Sequence, residues 1–473
     1  MKLSKLSIPY RAFKTAGSIL AIGVFSSLEA ASLAPGYFLA MSSLFLFGSI
    51  LVSFWFYLVW KNFEFEITED TFDIRSGVVQ KKRREIPLHR IQNVDVRRNI
   101  FQRALGIAKV SLETAGGQTS EASLKYVELE KAQSIQERVR RLKQKDLTVE
   151  ESSKESPLFE LSEKELGILS ITSLNMAAIS AIAVAFSFFG FAGQAVEGAF
   201  NTVGIIVLGF LLVGVVLLGV LVSAASNINK FYGFKLYRQG DSLEYERGLL
   251  NRSEGSIPFE KIQNLRVEEN PLKRLFGYST LKVETAGYSG QGQDQQGPEV
   301  AVPLAERSHV LELSNHIFDH GEYSIQKVSK NAFRRYFGRY MLISLIPVAG
   351  ILTASKVFNL SFNPAFVFFL IPLIGFASYL KYVNKGFYEG KEFFYTQNGF
   401  WNRKTNITPY YRVQNLSLSQ TVFQKRLNTS TLILDTAGIY TFSSNPRAVD
   451  IDDEVGEALF ERVFQSFKDS SKK

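Results

Sequence analysis

The densest group of side chains able to do chemistry is cationic. Lys81, Lys82, Arg83, Arg84, Arg90, Arg97, Arg98 and Arg103 stand against only Glu85 and Asp95, a net of +6 across residues 81–103. Such a run binds anions, and beside an anionic leaflet each basic residue contributes roughly 1 kcal/mol. It equally fits the ordinary excess of Lys and Arg on the cytoplasmic side of a membrane protein. Nucleic acid is the poorer partner, because the run lacks interleaved aromatics on which bases stack.

The remaining candidates are weaker. His309, His316 and His320 fall close together, and the last two stand at i, i+4 with Asp319 beside them, as a zinc pair would. No third ligand has suitable spacing, so they read as a solvated helix face. The loop GYSGQGQDQQGPE (287–299) precedes no helix and lacks a Lys-Ser/Thr pair, which argues against a phosphate cradle. The absence of cysteine excludes disulfides and thiolate chemistry. No nucleophile elbow or paired acid-base constellation emerges, so neither an enzyme nor a cofactor is expected.

The elements that would carry these residues are set by an uneven distribution of apolar residues. Mean hydropathy is only +0.02, yet six windows approach the 20 or so apolar residues that span a bilayer. They are 16–34 and 37–60, 167–191 and 202–225, and 339–359 and 364–381, in three close pairs. Pro347 and Pro372 kink the last two without forbidding them. The short connectors hold Glu29, Glu197 and Lys356, whereas the N-terminus and the long segments are rich in Lys and Arg. The positive-inside rule then places both termini and all long segments in the cytoplasm.

The long segments repeat. IPLHRIQNVDV (86–96), IPFEKIQNLRV (257–267) and TPYYRVQNLSL (408–418) align without a gap, with Gln263 lying 171 residues after Gln92 and Gln414 lying 151 after Gln263. The register persists to LETAG (112–116), VETAG (283–287) and LDTAG (434–438). Within it Arg90, Lys261 and Arg412 coincide, as do the pairs Gln92-Asn93, Gln263-Asn264 and Gln414-Asn415. The Gln-Asn pair reads as a fold-defining turn, since such side chains bond nearby backbone. The basic position is the candidate for contact with phosphate, lipid or a neighbouring domain. Charge differs between copies: residues 252–274 carry five basic and four acidic residues, and residues 403–425 carry four basic and none acidic. Copies one and three therefore suit lipid, and copy two suits packing. The third copy has Asn428 where the others have Gly106 and Gly277, and Asn tolerates the left-handed turn.

Alternating stretches such as FEFEIT (63–68), TFDIRSGVV (71–79) and AKVSLETA (108–115) predict half-buried strands. Residues 130–144, 306–320 and 452–467 predict a closing helix in each copy.

This unit, a spanning hairpin followed by strands, the Pro-basic-aliphatic-Gln-Asn segment, Thr-Ala-Gly and a final helix, resembles the bacterial pleckstrin-homology-like (PH-like) membrane proteins of the YdbS/YdbT family. The resemblance covers nearly the whole chain and matches the three-unit form. It implies three transmembrane hairpins, each followed by an antiparallel β PH-like domain of seven strands with a C-terminal helix. The expected limits are hairpins at 1–60, 167–225 and 339–381, domains at 61–145, 226–320 and 382–473, and linkers at 146–166 and 321–338. It also implies a smaller single-unit partner of the same fold and a link to antimicrobial-peptide tolerance or envelope stress. The expected role is a membrane scaffold meeting the anionic inner leaflet, that partner or further copies of itself. A lipid-handling or transport protein with the hairpins forming a path is the alternative.

Overall fold

Proline and a change of backbone direction define each copy of the repeated segment. The computed structural model describes residues 2–9, 11, 15, 17–18, 22–23, 35–68, 70–114, 122–144, 156–173, 202–286, 299–357, 366–437 and 445–470. The chain divides into two compact units, 1–156 with 244–256, and 157–243 with 257–473.

The first repeat runs through α1 (Pro35–Lys61), β1 (Glu64–Ile67), β2 (Thr71–Ser76), β3 (Lys82–Pro87), β4 (Ile91–Arg98), α2 (Ile100–Ala104), β5 (Ile107–Thr114), β6 (Ala122–Glu128) and α3 (Leu129–Gln144). Strands β1-β2-β3 form one antiparallel sheet, and β4 begins another with β5 and β6. Between them Pro87, which has no N–H to continue a ladder, ends β3. One turn of 3-10 helix over Leu88–Arg90 then carries the chain into the second sheet. Inward residues of both sheets, among them Phe65, Phe72, Ile86, Val94 and Leu112, close on Ile135 and Val139 of α3.

The second repeat holds β7 (Phe159–Glu160), α4 (Glu163–Thr172), α5 (Thr202–Phe231), β8 (Lys235–Gln239), β9 (Ser242–Arg247), β10 (Arg252–Pro258), β11 (Ile262–Glu269), α6 (Pro271–Leu275), β12 (Tyr278–Thr285), β13 (Glu299–Glu306) and α7 (Arg307–Ile317). The third holds β14 (Gln326–Lys327), α8 (Asn331–Val357), α9 (Phe366–Val383), β15 (Gly386–Glu389), β16 (Phe393–Asn398), β17 (Arg403–Pro409), β18 (Val413–Ser419), α10 (Val422–Lys425), β19 (Thr429–Thr436), β20 (Arg447–Asp452) and α11 (Asp453–Ser470). Pro258 and Pro409 repeat the corner of Pro87, each followed by a 3-10 turn. The new strand starts with a register shift in all three copies, between Ile91 and Asn93, Ile262 and Asn264, and Val413 and Asn415. The repeated segment is thus the corner where the chain changes sheets.

The sheets do not stay within one repeat. In the first unit the order runs β6-β5-β4-β10-β9, so β4 pairs with β10 of the next repeat. In the second unit a sheet runs β13-β12-β11-β17-β16-β15-β14, and a three-stranded sheet runs β18-β19-β20. Among the described residues repeats two and three have seven strands each, six within the expected domain limits and one, β7 or β14, in a segment expected as a linker. Repeat one has six strands among the described residues, and a single bridge from Lys2 to Glu64 stands where β7 and β14 stand in the others.

The segments expected as linkers are partly built into the fold. Residues 321–338 carry β14 and the first turns of α8, because Val328, Ala332 and Tyr336 insert into the third core beside Phe394, Leu432 and Leu459. Residues 156–166 carry β7 and the start of α4, capped by Ser162 with Glu165. Among the described residues two helices are long and apolar enough to cross a membrane, Ser42–Lys61 and Val213–Phe231, and Leu370–Val383 is a shorter apolar helix. Most of the expected spans 16–34 and 167–191 lies outside the described residues.

Candidate functional site

Three kinds of local structure bring functional side chains together: the junctions between repeats, the bases of the apolar segments, and the tips of turns.

At the β11–β17 junction a polar network is buried between strands of two repeats. Asn264, with no exposed surface, donates from Nδ2 to Glu284 Oε2 at 3.0 Å and Asn406 Oδ1 at 3.2 Å. It accepts from Thr408 Oγ1 at 3.0 Å. Arg266 donates from Nε to Asn406 Oδ1 at 2.8 Å and pairs with Glu284. Burial holds the Glu284 carboxyl above its ordinary range, with Arg266 and Asn264 opposing. At the edge of the same junction Arg403 grips buried Glu269 through Nε at 2.7 Å and Nη2 at 2.6 Å. Glu268 sits beside Lys282 at 2.7 Å and Lys404 at 3.9 Å. Burial acts to raise its carboxyl, but those cations and Arg266 outweigh it and the net shift is downward. The β4–β10 junction is smaller. Arg98 meets Glu254 at 3.4 Å, which Arg252 also approaches at 3.5 Å. Gly255 is required there, since a Cβ would fall 2.6 Å from the Tyr245 hydroxyl and 2.8 Å from Asp95 Oδ1.

The bases of the apolar segments are tied shut. The chain just before each segment bonds the chain just after it: Lys2 with Glu64, Phe159 with Leu236, and Gln326 with Phe387. Side chains reinforce the ties. Trp60 Nε1 donates to Leu3 O at 2.9 Å, Asn227 Nδ2 to Ser173 O at 2.7 Å, and Lys327 Nζ to Val383 O at 2.8 Å. In the third repeat a charged cluster couples both ends of the segment to the sheet. Fully buried Asp450 on β20 accepts from Arg335 at 2.8 Å, Tyr336 Oη at 2.9 Å and Lys385 Nζ at 3.0 Å through one oxygen, and from Gln424 at 3.1 Å through the other. Burial pushes the Lys385 ammonium down from 10.5 to about 7, with Asp450 pulling the other way. At the base of the second segment a cleft of about 550 Å³ is lined by Asn227, Glu268, Asn270, Lys273, Lys282 and Trp401, among others. Lys273 is pushed down to about 8 by burial and donates to Thr280 Oγ1 at 2.7 Å.

The tips are apolar and exposed. After a glycine at positive φ (Gly77, Gly248, Gly399), the turns present Val79, Leu249 with Leu250, and Phe400 with Trp401. The short helices add Ile100 and Phe101, Leu272 and Leu275, and Val422 and Phe423. In the third repeat such a tip adjoins the segment base: Asn384 Nδ2 donates to Phe400 O at 2.8 Å, and the Phe400 ring meets Tyr340 edge-on. Basic residues follow directly, as Lys81 and Lys82, Arg252, and Arg403 and Lys404.

Lys81, just before β3, and Lys82, Arg83 and Arg84 along it are exposed, with Arg83 reaching Asp73 at 3.4 Å and pairing with Glu85. Arg97 pairs with buried Asp95 at 3.3 Å, and Arg98 belongs to the β4–β10 junction. Arg90 is exposed and Lys261 half-buried, while Arg412 reaches the Phe259 carbonyl of the preceding repeat at 3.5 Å. The side chains of Gln92 and Asn93 lie outside the described residues. Gln263 bonds its own corner, donating to Lys261 O at 3.2 Å. Gln414 and Asn415 are exposed. Of the histidines, His320 is not on a solvated face. It is buried, held by Ser314 Oγ at 2.7 Å and Gly321 O at 2.8 Å, and stacked edge-on to Tyr395.

Sequence reasoning missed Asp450, Lys385 and Asn406. A lysine just after an apolar span reads as ordinary flanking charge, and acids on strands read as solvent-facing. The exposed tips did leave a signal, since Gly-Val-Val, Gly-Leu-Leu and Gly-Phe-Trp recur at one position of the repeat.

Compared with known families, the chain matches the family described as Bacterial PH domain three times, over residues 18–143, 173–320 and 343–466. Each match starts in or beside an apolar stretch and runs through the sheet domain after it, the same unit as the sequence repeat. The chain is also 24% identical over 403 residues, 78% of each chain, to the "UPF0699 transmembrane protein YdbT" of Bacillus subtilis (strain 168).

Proposed function

Because the chain belongs to the bacterial PH domain family, we propose that it is a multi-pass membrane scaffold whose three PH-like domains rest on one bilayer face. The observation that carries this reading is the tie at each base. A segment whose two ends are bonded to each other leaves and returns on one side, so it crosses the bilayer an even number of times. Three apolar segments of two spans each would meet that condition, and the charge of the long segments supports a cytoplasmic position for the shared side. The relative's description as a transmembrane protein supports the anchoring.

The apolar tips extend the reading to the soluble domains. Trp and large aliphatic residues flanked by Lys and Arg suit the boundary between headgroups and acyl chains. Lys81, Lys82, Arg252, Arg403 and Lys404 would then meet anionic headgroups, while Arg412 serves contact between repeats. The domains offer edges and buried polar junctions suited to binding, which favours a non-enzymatic role, with a smaller protein of the same fold or further copies as partners. A role in envelope defence rests on the family resemblance alone. One observation favours lipid handling as a second reading, the cleft beneath the second segment with Lys273 and Trp401 in its lining.

The test uses Trp401 as a reporter. With Trp55 and Trp60 replaced by Phe, the fluorescence of Trp401 in nanodiscs should be quenched by lipids brominated near the headgroup. Unquenched emission from a folded, membrane-inserted chain would contradict seating of the domains on the bilayer.

A further inference from the structure

The two junctions between repeats use one register. Val96 stands opposite Glu254 and Arg98 opposite Arg252 in the first. At the aligned positions of the second, Val267 stands opposite Thr405 and Glu269 opposite Arg403. A strand that begins after the Pro corner therefore accepts, on its outer edge, the strand that precedes the Pro corner of the following repeat. In the third repeat β18 ends its sheet, with no strand beyond it among the described residues. At the other end of the series, β3 likewise ends its sheet.

We infer that the outer edge of β18 is a docking site for β3 of a second copy of this chain. The inference rests on the scaffold reading only in placing both copies on one face of one membrane. Continuity with the internal junctions fixes the pairing: Leu416 opposite Glu85, Ser417 opposite Arg84, Leu418 opposite Arg83 and Ser419 opposite Lys82. Strand addition of this kind satisfies a row of edge N–H and C=O groups, and side chains at alternate positions decide which strand is accepted.

Two observations point to this occupant. Asn264 is sealed beneath β17 by Asn406 and Thr408, whereas the aligned Asn415 on β18 is exposed, as is Gln414. The third copy thus keeps the residues of a covered edge without the cover. The charges also exchange sides. In the β11–β17 junction the arginine is Arg266 on β11, opposite Asn406, and it answers Glu284 on the next strand. In the third copy Ser417 occupies the place of Arg266, and Asp435 that of Glu284. Arg84 of β3 occupies the place of Asn406, so in the same register it would bring a cation toward Asp435, which within its own copy accepts from Asn445 Nδ2 at 2.9 Å. Ser419 and Gln420 put no like charge opposite Lys82 and Lys81. The contact is heterologous, so copies add head to tail in a ring or an open row within the membrane plane.

The chain has no cysteine, which makes disulfide trapping direct. Two differently tagged chains, one Ser419→Cys and the other Lys82→Cys, are co-expressed and oxidised in membranes. An intermolecular cross-link is expected, at least tenfold above that of Ser419→Cys with Arg83→Cys, whose side chains point to opposite faces. Adding Arg84→Glu to the Lys82→Cys chain should reduce the yield about tenfold, and adding Asp435→Lys to the Ser419→Cys chain should restore it. Equal yields in and out of register overturn the inference. So does a cross-link formed only when both cysteines share one chain, or capture by Ser419→Cys of a different protein instead of the second copy. Membrane sedimentation of the same variants separates the two readings. Sedimentation without the cross-link defeats docking alone, and a soluble chain defeats the scaffold.

Discussion

Asp450 gathers four donors at the base of the third domain. It is fully buried, sits at φ +68°, and receives Arg335, Tyr336, Lys385 and Gln424. Removing one member of a buried pair leaves the others uncompensated, at a cost of about 3–5 kcal/mol. Asp450→Asn should therefore lower denaturant resistance of the third domain by roughly that amount, measured by urea unfolding in detergent. Lys385 supplies a pH dependence with a definite sign. Its pKa falls from 10.5 in the open chain to about 7 in the fold, so between these values the unfolded state binds more protons. Stability should then rise with pH across that window, and Lys385→Met should flatten the rise. A thermal unfolding series from pH 6.5 to 10 reads it. A melting temperature that falls over the same interval, and does so equally in Lys385→Met, would contradict the assignment.

At the scale of elements, the left-handed turn before β19 offers a clean contrast. Asn428 adopts φ +50° where Gly106 and Gly277 adopt +65° and +75°, in keeping with the tolerance of Asn for that region. Asn428→Gly should leave stability nearly unchanged, while Asn428→Val should cost about 1–2 kcal/mol. Urea midpoints of the two variants decide it, and equal midpoints would rule out a conformational demand at this position. That turn was legible in the sequence, as were the strands, the closing helices and the repeat, because each is written in local alternation and spacing. The sheet-changing corner was visible as a conserved register between copies, but not as a corner, since periodicity does not report which sheet a strand joins. The pairing of β4 with β10 and of β11 with β17 was hidden for a related reason. Alternation gives the face of a strand and not its edge neighbour, so Asn406, Arg266 and Glu284 looked solvent-facing until the junction buried them. Residues 321–338 were read as a tether from their polar composition, yet Val328, Ala332 and Tyr336 at helical spacing lock them into the third core.

Across the molecule a closed base recurs in all three repeats. On the proposed reading each apolar segment is an excursion from one side and the three similar domains share that side, with tips and basic residues suited to the bilayer. The measurement that tests this most directly is side-specific labelling of single cysteines in an otherwise cysteine-free chain. Gln80→Cys, Asp241→Cys and Lys391→Cys each place a thiol on one of the three domains, and Gly36→Cys, Glu197→Cys and Asn363→Cys place one between the paired spans. With a membrane-impermeant maleimide applied to intact spheroplasts, labelling is expected at the three connector sites alone, and at the three domain sites only after the membrane is opened. Labelling of any one domain site in intact spheroplasts would contradict it.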